Sequence, residues 1–175
     1  MTRIHSFPPI AAGSAQRLIL GSIPGKASLL ARQYYAHPRN AFWPIIEAVF
    51  GISATLAYDE RCAYLRARGV AVWDVLKTCT RTSSLDSDID AASIVPNDFA
   101  AFFAGHPGIQ MVYFNGAMAE KAFRRHVLPA LPDAMGRIPC VRLPSTSPAN
   151  ASFSFERKLQ MWRLLEHQPH ADGPR

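Results

Sequence analysis

Four short apolar segments, each ending in turn-forming residues, constrain the fold of this chain more than any other feature of its sequence. They cover residues 17–23, 69–76, 109–114 and 138–143. Their hydrophobicity is nearly continuous, which is typical of strands buried on both faces of a parallel sheet. Segments with helical character lie between and after them, at residues 41–50, 59–68, 98–104, 117–128 and 155–167. Strands that alternate with helices predict a layered α/β architecture with right-handed crossovers.

The length and composition of the chain indicate one globular domain. Its 175 residues are 49% hydrophobic and 18% charged, which is enough to bury a core but too few for two ordinary domains. We expect a single domain over residues 1–175, with its core at about 15–168 and loose ends at 1–14 and 169–175. No apolar run approaches the roughly 18 residues of a membrane span, and residues 1–10 contain no apolar core of a signal peptide.

Cysteine content and charge narrow the environment and the partners. Cys62, Cys79 and Cys140 are odd in number and widely spaced, which argues against a disulfide framework, a zinc site or an iron–sulfur cluster. We therefore expect no metal and a reducing cytoplasm. The 19 lysines and arginines outnumber the 13 acidic residues, giving a net charge of +6. Such a charge attracts polyanions such as nucleic acids, although many proteins without that partner are equally basic.

Residues that follow parallel strands usually form the functional site, because the carboxyl ends of the strands meet at one edge of the sheet. Four loops qualify, at residues 21–25, 73–75, 114–116 and 143–148. The first has the glycines and lysine of a phosphate-binding P-loop. However, Gly21 and Gly25 are one residue too close together, and Ala27 stands where a hydroxyl is required. A tight turn here still directs backbone amides toward an anion or an extruded base.

Residues 33–43 combine aromatic rings with histidine, arginine and asparagine side chains. Stacking platforms beside hydrogen-bonding groups are typical of nucleobase recognition. A structural explanation is also open, since Phe42 and Trp43 fit the buried first turn of a helix and Asn40 fits the position that caps it. By the same criterion Asn97 is expected to cap the helix that follows it.

The first loop together with residues 35–43 resembles the first motif of the uracil-DNA glycosylase superfamily. The resemblance is nearest to the mismatch-specific branch and to the hypoxanthine-DNA (deoxyinosine) glycosylase branch. It recurs in order at residues 72–76, 114–119 and 143–148. The matches together extend from residue 17 to about residue 165, so their combination is far more specific than any one motif.

Departures from the family pattern indicate the branch. Ile23 replaces the Asp or Asn that positions water in most of the superfamily, and Leu143 replaces the catalytic histidine of the best-known uracil enzymes. Asp74 stands in place of the usual base-reading asparagine. Resemblance to the hypoxanthine branch implies that the asparagine of the His-Pro-x-Asn segment takes this role, and that residue is Asn40 here.

The resemblance implies a three-layer α/β/α sandwich around a four-stranded parallel sheet of order 2-1-3-4. It implies a monofunctional DNA glycosylase that hydrolyses the N-glycosidic bond of deaminated bases for base-excision repair. Hypoxanthine is expected as the first substrate and uracil as the second. We expect this enzyme to be a monomer without cofactor or metal. It would act on double-stranded or single-stranded DNA, in the cytoplasm and associated with the nucleoid rather than with a membrane.

The resemblance also implies roles for individual residues. Asn40 would hold and orient the attacking water, and Asp74 would read the base or act on the water, either ionised or protonated. Tyr35 would support the extruded base, with Ile23 and Asn115 as further base contacts. Contacts to DNA are expected from the loop residues Gly21, Ser22, Pro24, Gly25, His37, Ser145, Thr146, Ser147 and Pro148. Unranked candidates for phosphate contacts are Lys26, Arg32, Arg39, Lys77, Arg81 and Arg142.

The loop at residues 146–149 is expected to fill the gap that the extruded base leaves. Two other functions are open besides that of a glycosylase. A catalytically silent DNA-binding module is open as an alternative, because Ile23 and Leu143 have replaced catalytic residues. An enzyme acting on free nucleotides is a second alternative. The alternating aspartates of residues 86–90 lack the glycine and glutamate that a calcium-binding loop requires.

Overall fold

The computed structural model describes residues 1–167, and the loose end expected at residues 169–175 lies outside them. Its strands are β1 (Thr2–His5), β2 (Arg17–Gly21), β3 (Val70–Asp74), β4 (Leu76–Arg81), β5 (Val95–Pro96), β6 (Met111–Asn115) and β7 (Cys140–Leu143). Its helices are α1 (Lys26–Ala31), α2 (Phe42–Phe50), α3 (Tyr58–Ala67), α4 (Phe99–Gly105), α5 (Ala117–Ala122), α6 (Asp133–Gly136) and α7 (Phe155–Trp162).

Strands β2, β3, β6 and β7 form a four-stranded parallel sheet in the order β3-β2-β6-β7. Counted along the chain within this sheet, that order is 2-1-3-4, as predicted. Strand β2 is buried along its whole length, which fits a central strand covered on both faces. The near-continuous apolar segments of the sequence are therefore the strands of this sheet.

Helices cover both faces of the parallel sheet. The chain crosses from β2 to β3 in one direction and from β3 through β6 to β7 in the other. Right-handed crossovers then place the two sets of connecting helices on opposite faces. On one face, Phe42 of α2 packs against Trp162 of α7 with 6.1 Å between ring centroids. On the other face, Phe99 of α4 packs against Phe123 at 5.4 Å. This arrangement confirms the three-layer α/β/α prediction.

A second, antiparallel sheet in the order β1-β4-β5 was not predicted. The prediction of a loose end at residues 1–14 is wrong for Thr2–His5, because this segment pairs with β4 and places Ile4 opposite Cys79. Strand β4 follows β3 almost directly, so the apolar segment predicted at residues 69–76 contains all of β3 and the first residue of β4.

Some boundaries and caps also differ from the predicted ones. The helix predicted at residues 117–128 is α-helical only within α5 and continues as a π-helical turn and a short 3₁₀ helix that contains Pro129. The prediction that Asn97 caps α4 is wrong, because the Asp98 carboxylate accepts the Ala101 N–H at 3.0 Å and acts as the cap.

Three further observations bear on the chemistry of the chain. All three cysteines are free thiols, and Cys62 and Cys79 are buried. Within residues 1–167, no group of three or more His, Cys, Asp or Glu side chains is placed to hold a metal ion. None of the helices in the described part of the chain combines the length and apolar composition needed to cross a membrane.

Candidate active site

The carboxyl ends of the parallel strands border one cleft of about 860 Å³. Strand register brings these ends into line, since Gly21 lies opposite Asp74 and Asn115 opposite Leu143. The structure places in the lining of this cleft every residue assigned to the site from sequence, namely Gly21, Ser22, Ile23, Pro24, Gly25, Tyr35, His37, Asn40, Asp74, Asn115, Ser145, Thr146, Ser147 and Pro148. The four loops therefore converge as expected, whereas the role of each residue stays a prediction.

Asp74 and Gly21 are in close contact at the ends of their strands. Asp74 is only 4% exposed, and its Oδ2 has no hydrogen-bond partner among the described residues. A Cβ atom at position 21 would lie 2.6 Å from Asp74 Oδ1 and 2.9 Å from the Tyr35 hydroxyl. Only glycine therefore allows the first loop to approach this carboxyl and this phenol.

The environment of Asp74 favours its neutral form. Burial raises the pKa of Asp74, the nearby Asp86 carboxylate adds to this effect and the Arg81 guanidinium opposes it, and together they place the pKa at about 7. A carboxyl group with a pKa near 7 can be a hydrogen-bond donor at neutral pH as well as an acceptor.

Arg81 lies beneath the first loop of the cleft rather than on the surface. Its guanidinium is buried and donates a hydrogen bond to the Pro24 carbonyl oxygen. The interpretation of Arg81 as a phosphate contact is therefore wrong, because its charge faces the protein. The same charge is placed to offset the negative charge of Asp74 and Asp86.

Tyr35 is held by an aromatic partner. Its ring stacks on that of Phe42, with 4.0 Å between centroids and 23° between planes. Its backbone has a φ of 56°, a left-handed conformation that is rare for a tyrosine. Burial raises the pKa of its hydroxyl, which therefore stays a neutral donor. Phe42 and Trp43 are buried in the core, as the structural explanation predicted, whereas Tyr35 is partly exposed and lines the cleft.

Asn40 lies just before α2 and lines the cleft. The prediction that Asn40 is the N-cap is wrong by one position, because α2 begins at Phe42 and the Ala41 carbonyl oxygen accepts its first helical hydrogen bond. The Asn40 Oδ1 nevertheless accepts a hydrogen bond from the Phe42 N–H at 2.9 Å. An amide oxygen has a second lone pair, and the amide nitrogen carries two further donors. Binding the Phe42 N–H and orienting a water molecule are therefore compatible for this one side chain.

Asn115 joins two of the four loops. Its Nδ2 donates to the Thr146 hydroxyl at 2.9 Å, and its Oδ1 accepts from the Thr146 N–H at 2.9 Å. The Thr146 carbonyl oxygen accepts in turn from the Ala41 N–H at 3.0 Å. This chain of hydrogen bonds fixes the last loop against the segment that carries Asn40. The buried Thr146 hydroxyl is bonded to Asn115 and does not face the open part of the cleft, whereas Pro148 is exposed and Ser145 and Ser147 are partly exposed.

The last loop is compact because a glycine lies next to it. Gly116 has a φ of 95°, and a Cβ atom there would lie 3.0 Å from the Ser145 Cβ. Within the loop, the Ser147 N–H donates to the Ser145 hydroxyl at 3.2 Å and the Asn150 amide donates to the Ser145 carbonyl at 3.1 Å. These contacts shape a rigid turn at the edge of the cleft.

A further wall of the cleft, formed by residues 84–87, was not predicted from the sequence. The Ser22 hydroxyl donates to Asp86 Oδ1 at 2.7 Å, and the Lys26 N–H donates to the Ser84 hydroxyl at 3.1 Å. The first bond attaches this segment to the first loop and the second attaches it to the start of α1. Its alternating aspartates were tested only as a calcium site, and no local pattern reveals that it follows a strand of a second sheet.

Comparisons with known proteins agree with one another. A family model described as the uracil DNA glycosylase superfamily matches residues 8–166. A hypoxanthine DNA glycosylase from Methanosarcina acetivorans is 32% identical over 164 residues, covering 93% of this chain and 98% of that protein. A hypoxanthine DNA glycosylase from Methanosarcina barkeri is 34% identical over 113 residues, covering 64% of this chain and 70% of that protein.

One solved structure extends the comparison to the fold. The solution NMR structure of a candidate uracil DNA glycosylase from Methanosarcina acetivorans is similar to this chain with a TM-score of 0.73 and 32% sequence identity. The match covers 95% of this chain and all of that one. The layered architecture described above is therefore shared along nearly the whole length of both chains.

Proposed function

This chain belongs to the uracil DNA glycosylase superfamily, and from that membership we propose that it removes deaminated bases from DNA, hypoxanthine first and uracil second. The reaction hydrolyses the N-glycosidic bond and leaves an abasic site, the first step of base-excision repair. One observation supports the choice of hypoxanthine. Asn40 lines the cleft, and the apolar Ile23 stands at the position where the family usually has a water-orienting residue.

Asn40 is assigned to the water. An amide cannot abstract a proton, so its contribution is to hold a water molecule against the anomeric carbon while the bond to the base breaks. The hydrogen bond from Phe42 fixes the orientation of this amide. The water loses its proton late, after the sugar has developed oxocarbenium character.

Asp74 is assigned to the departing base. Hypoxanthine and uracil both carry a carbonyl next to a ring N–H, and negative charge develops on the base as it leaves. A neutral Asp74 donates a hydrogen bond to that carbonyl oxygen and stabilises the charge. Adenine has an amino group in this place and cannot accept the bond, so the interaction favours the deaminated base in the transition state.

Tyr35, Ile23 and the last loop are assigned to binding. Tyr35, supported by Phe42, stacks on the extruded base, and Ile23 contacts it from the first loop. Ser145, Ser147 and Pro148 contact the DNA backbone. We propose a monomer that acts on double-stranded DNA, associates with the nucleoid, and uses no metal ion or cofactor.

The test uses end-labelled duplexes that contain one deoxyinosine, one deoxyuridine or neither, followed by alkaline cleavage of abasic sites. We expect cleavage at deoxyinosine, slower cleavage at deoxyuridine, and none of the unmodified duplex. Cleavage at deoxyuridine alone would retain the family but overturn the choice of base. Tight DNA binding without cleavage of either lesion would instead indicate a silent binding module, which the replacements at Ile23 and Leu143 would then explain.

A further inference from the structure

Two leucines in the lining of the cleft are exposed to solvent. Leu30 is 79% exposed and Leu85 is 49% exposed. Single exposed leucines are ordinary on protein surfaces. These two differ from the others because they lie beside the site at which a base must leave the stack.

The last loop lacks a side chain large enough for that task. Proteins that open a base stack commonly insert an apolar side chain into the gap. In this loop Thr146 is buried and hydrogen-bonded to Asn115, and the exposed residues Pro148 and Ala149 have short side chains. The loop can occupy part of the gap but provides no long side chain that would keep the neighbouring bases apart.

Leu30 has the surroundings that a DNA contact requires. It lies on α1 four residues after Lys26, so the two side chains share one face of the helix. Arg32 follows α1 directly and is exposed, and α1 contains no acidic residue. Two cations beside an exposed leucine match the phosphates that flank a nucleobase.

Leu85 has the opposite surroundings. It stands immediately before Asp86 and close to Asp88, whose carboxylates repel phosphates. Its segment is also attached to the first loop and to the start of α1 through the Ser22–Asp86 and Lys26–Ser84 hydrogen bonds. Between the two exposed leucines, charge complementarity therefore favours Leu30.

We propose that Leu30 is an apolar wedge that enters the base stack next to the extruded nucleotide, while Lys26 contacts an adjacent phosphate. This inference rests on the proposed function. Helix α1 follows β2 and the last loop follows β7, and β6 lies between these strands in the sheet. Leu30 therefore stands on a different element of the cleft from Pro148 and Ala149.

The test compares single-turnover excision of hypoxanthine from a duplex and from the same strand without its complement. In Leu30→Ala we expect the rate on the duplex to fall about tenfold and the rate on the single strand to stay within about twofold, because only the duplex must be opened. Leu164→Ala is the matched control, since Leu164 is 49% exposed and lies outside the cleft lining. Leu30→Met should restore most of the duplex rate.

Three results would overturn the wedge. They are an equal loss on both substrates, no loss on either, or a duplex-specific loss in Leu85→Ala but not in Leu30→Ala. A second readout does not depend on turnover, namely the fluorescence rise of 2-aminopurine placed beside the lesion when protein binds. If the wild type unstacks this probe and Leu30→Ala does not, while neither excises a base, the wedge stands and the proposed function fails.

Discussion

At the scale of single residues, Asp74 shows how burial changes what a carboxyl group can do. Its pKa near 7 and its unpartnered Oδ2 leave it able to donate a hydrogen bond at neutral pH. The sequence predicts that Asp74 lies at the end of a strand, and it leaves open whether its carboxyl group is ionised or protonated. The protonation of Asp74 was not predictable, because it depends on Asp86 and Arg81, which reach it only in the folded chain.

The first prediction concerns pH. If neutral Asp74 assists the departing base, the single-turnover rate of excision falls as pH rises through about 7, approaching about tenfold per pH unit above that value. Asp74→Asn should keep a hydrogen-bond donor and lose this pH dependence. A wild-type rate that rises through the same range would show that the ionised form is the active one.

A second prediction concerns Gly21, at the end of β2. Gly21→Ala would push a Cβ against Asp74 and Tyr35, whereas a Cβ at Gly105, at the end of α4 and outside the cleft lining, would meet nothing within 4 Å. We expect excision to fall about 100-fold in Gly21→Ala, since small displacements of reacting groups are that costly. Gly105→Ala serves as the control and should retain nearly the full rate, and equal losses in both variants would contradict the steric explanation.

At the scale of elements, the parallel strands were predictable and the second sheet was not. Strands β2, β3 and β6 are nearly continuous apolar segments, because both of their faces are covered, whereas the edge strand β7 carries the exposed Arg142. Strand β4 reads Leu-Lys-Thr-Cys-Thr-Arg, without a continuous apolar run, and its partner β1 lies more than 70 positions earlier in the chain. Pairing over such a separation leaves no local pattern, so the wall of the cleft at residues 84–87 was missed.

The third prediction tests whether Asp86, in the wall formed by residues 84–87, raises the pKa of Asp74. Asp86→Asn can still accept the hydrogen bond from Ser22 but loses the negative charge that raises the pKa of Asp74. The pH midpoint of excision should therefore move to lower pH. Asp88→Asn is the control, because Asp88 lies on the same segment, bonds to Ser83 and does not line the cleft. Equal midpoints in all three proteins would show that Asp86 has no such effect.

At the scale of the whole molecule, the site exists because four parallel strands end at one edge of a sheet. Gly21, Asp74 and Asn115 are distant in sequence but lie on adjacent strand ends, with the register fixed by backbone pairing. The order 2-1-3-4 was expected from the family resemblance, so the convergence of the loops could be anticipated. The hydrogen bonds between loops, such as Asn115 to Thr146, could not, because they depend on side-chain positions within the assembled fold.

The fourth prediction concerns the stability of the fold. Asp74 ionises near its ordinary pKa of 3.8 in the unfolded chain and near about 7 in the folded chain. The unfolded state therefore releases its proton first, and the free energy of unfolding falls as pH rises from about 4 to about 7. At about 1.4 kcal/mol per unit of pKa shift, the ceiling of this loss is about 4 kcal/mol.

Asp74→Asn cannot ionise and should escape that loss. We expect the variant to gain stability over the wild type at pH 8 by more than at pH 4, measured as the free energy of unfolding in urea at both values. The comparison between the two pH values cancels any constant effect of the substitution on packing. If the difference in free energy of unfolding between variant and wild type were the same at pH 4 and pH 8, the carboxyl group would not be buried as described.

The most direct test of the whole account is the amount of free hypoxanthine released from a deoxyinosine duplex by the wild type, Asn40→Ala and Asn40→Ser, with DNA affinity measured in parallel. Serine keeps a side-chain acceptor for the Phe42 N–H, so any loss it shares with alanine is not due to the absence of that hydrogen bond. We predict stoichiometric release by the wild type in a single turnover, and at least about 100-fold slower release by both variants at unchanged affinity. Release by both variants at the wild-type rate would contradict the assignment of the attacking water to Asn40.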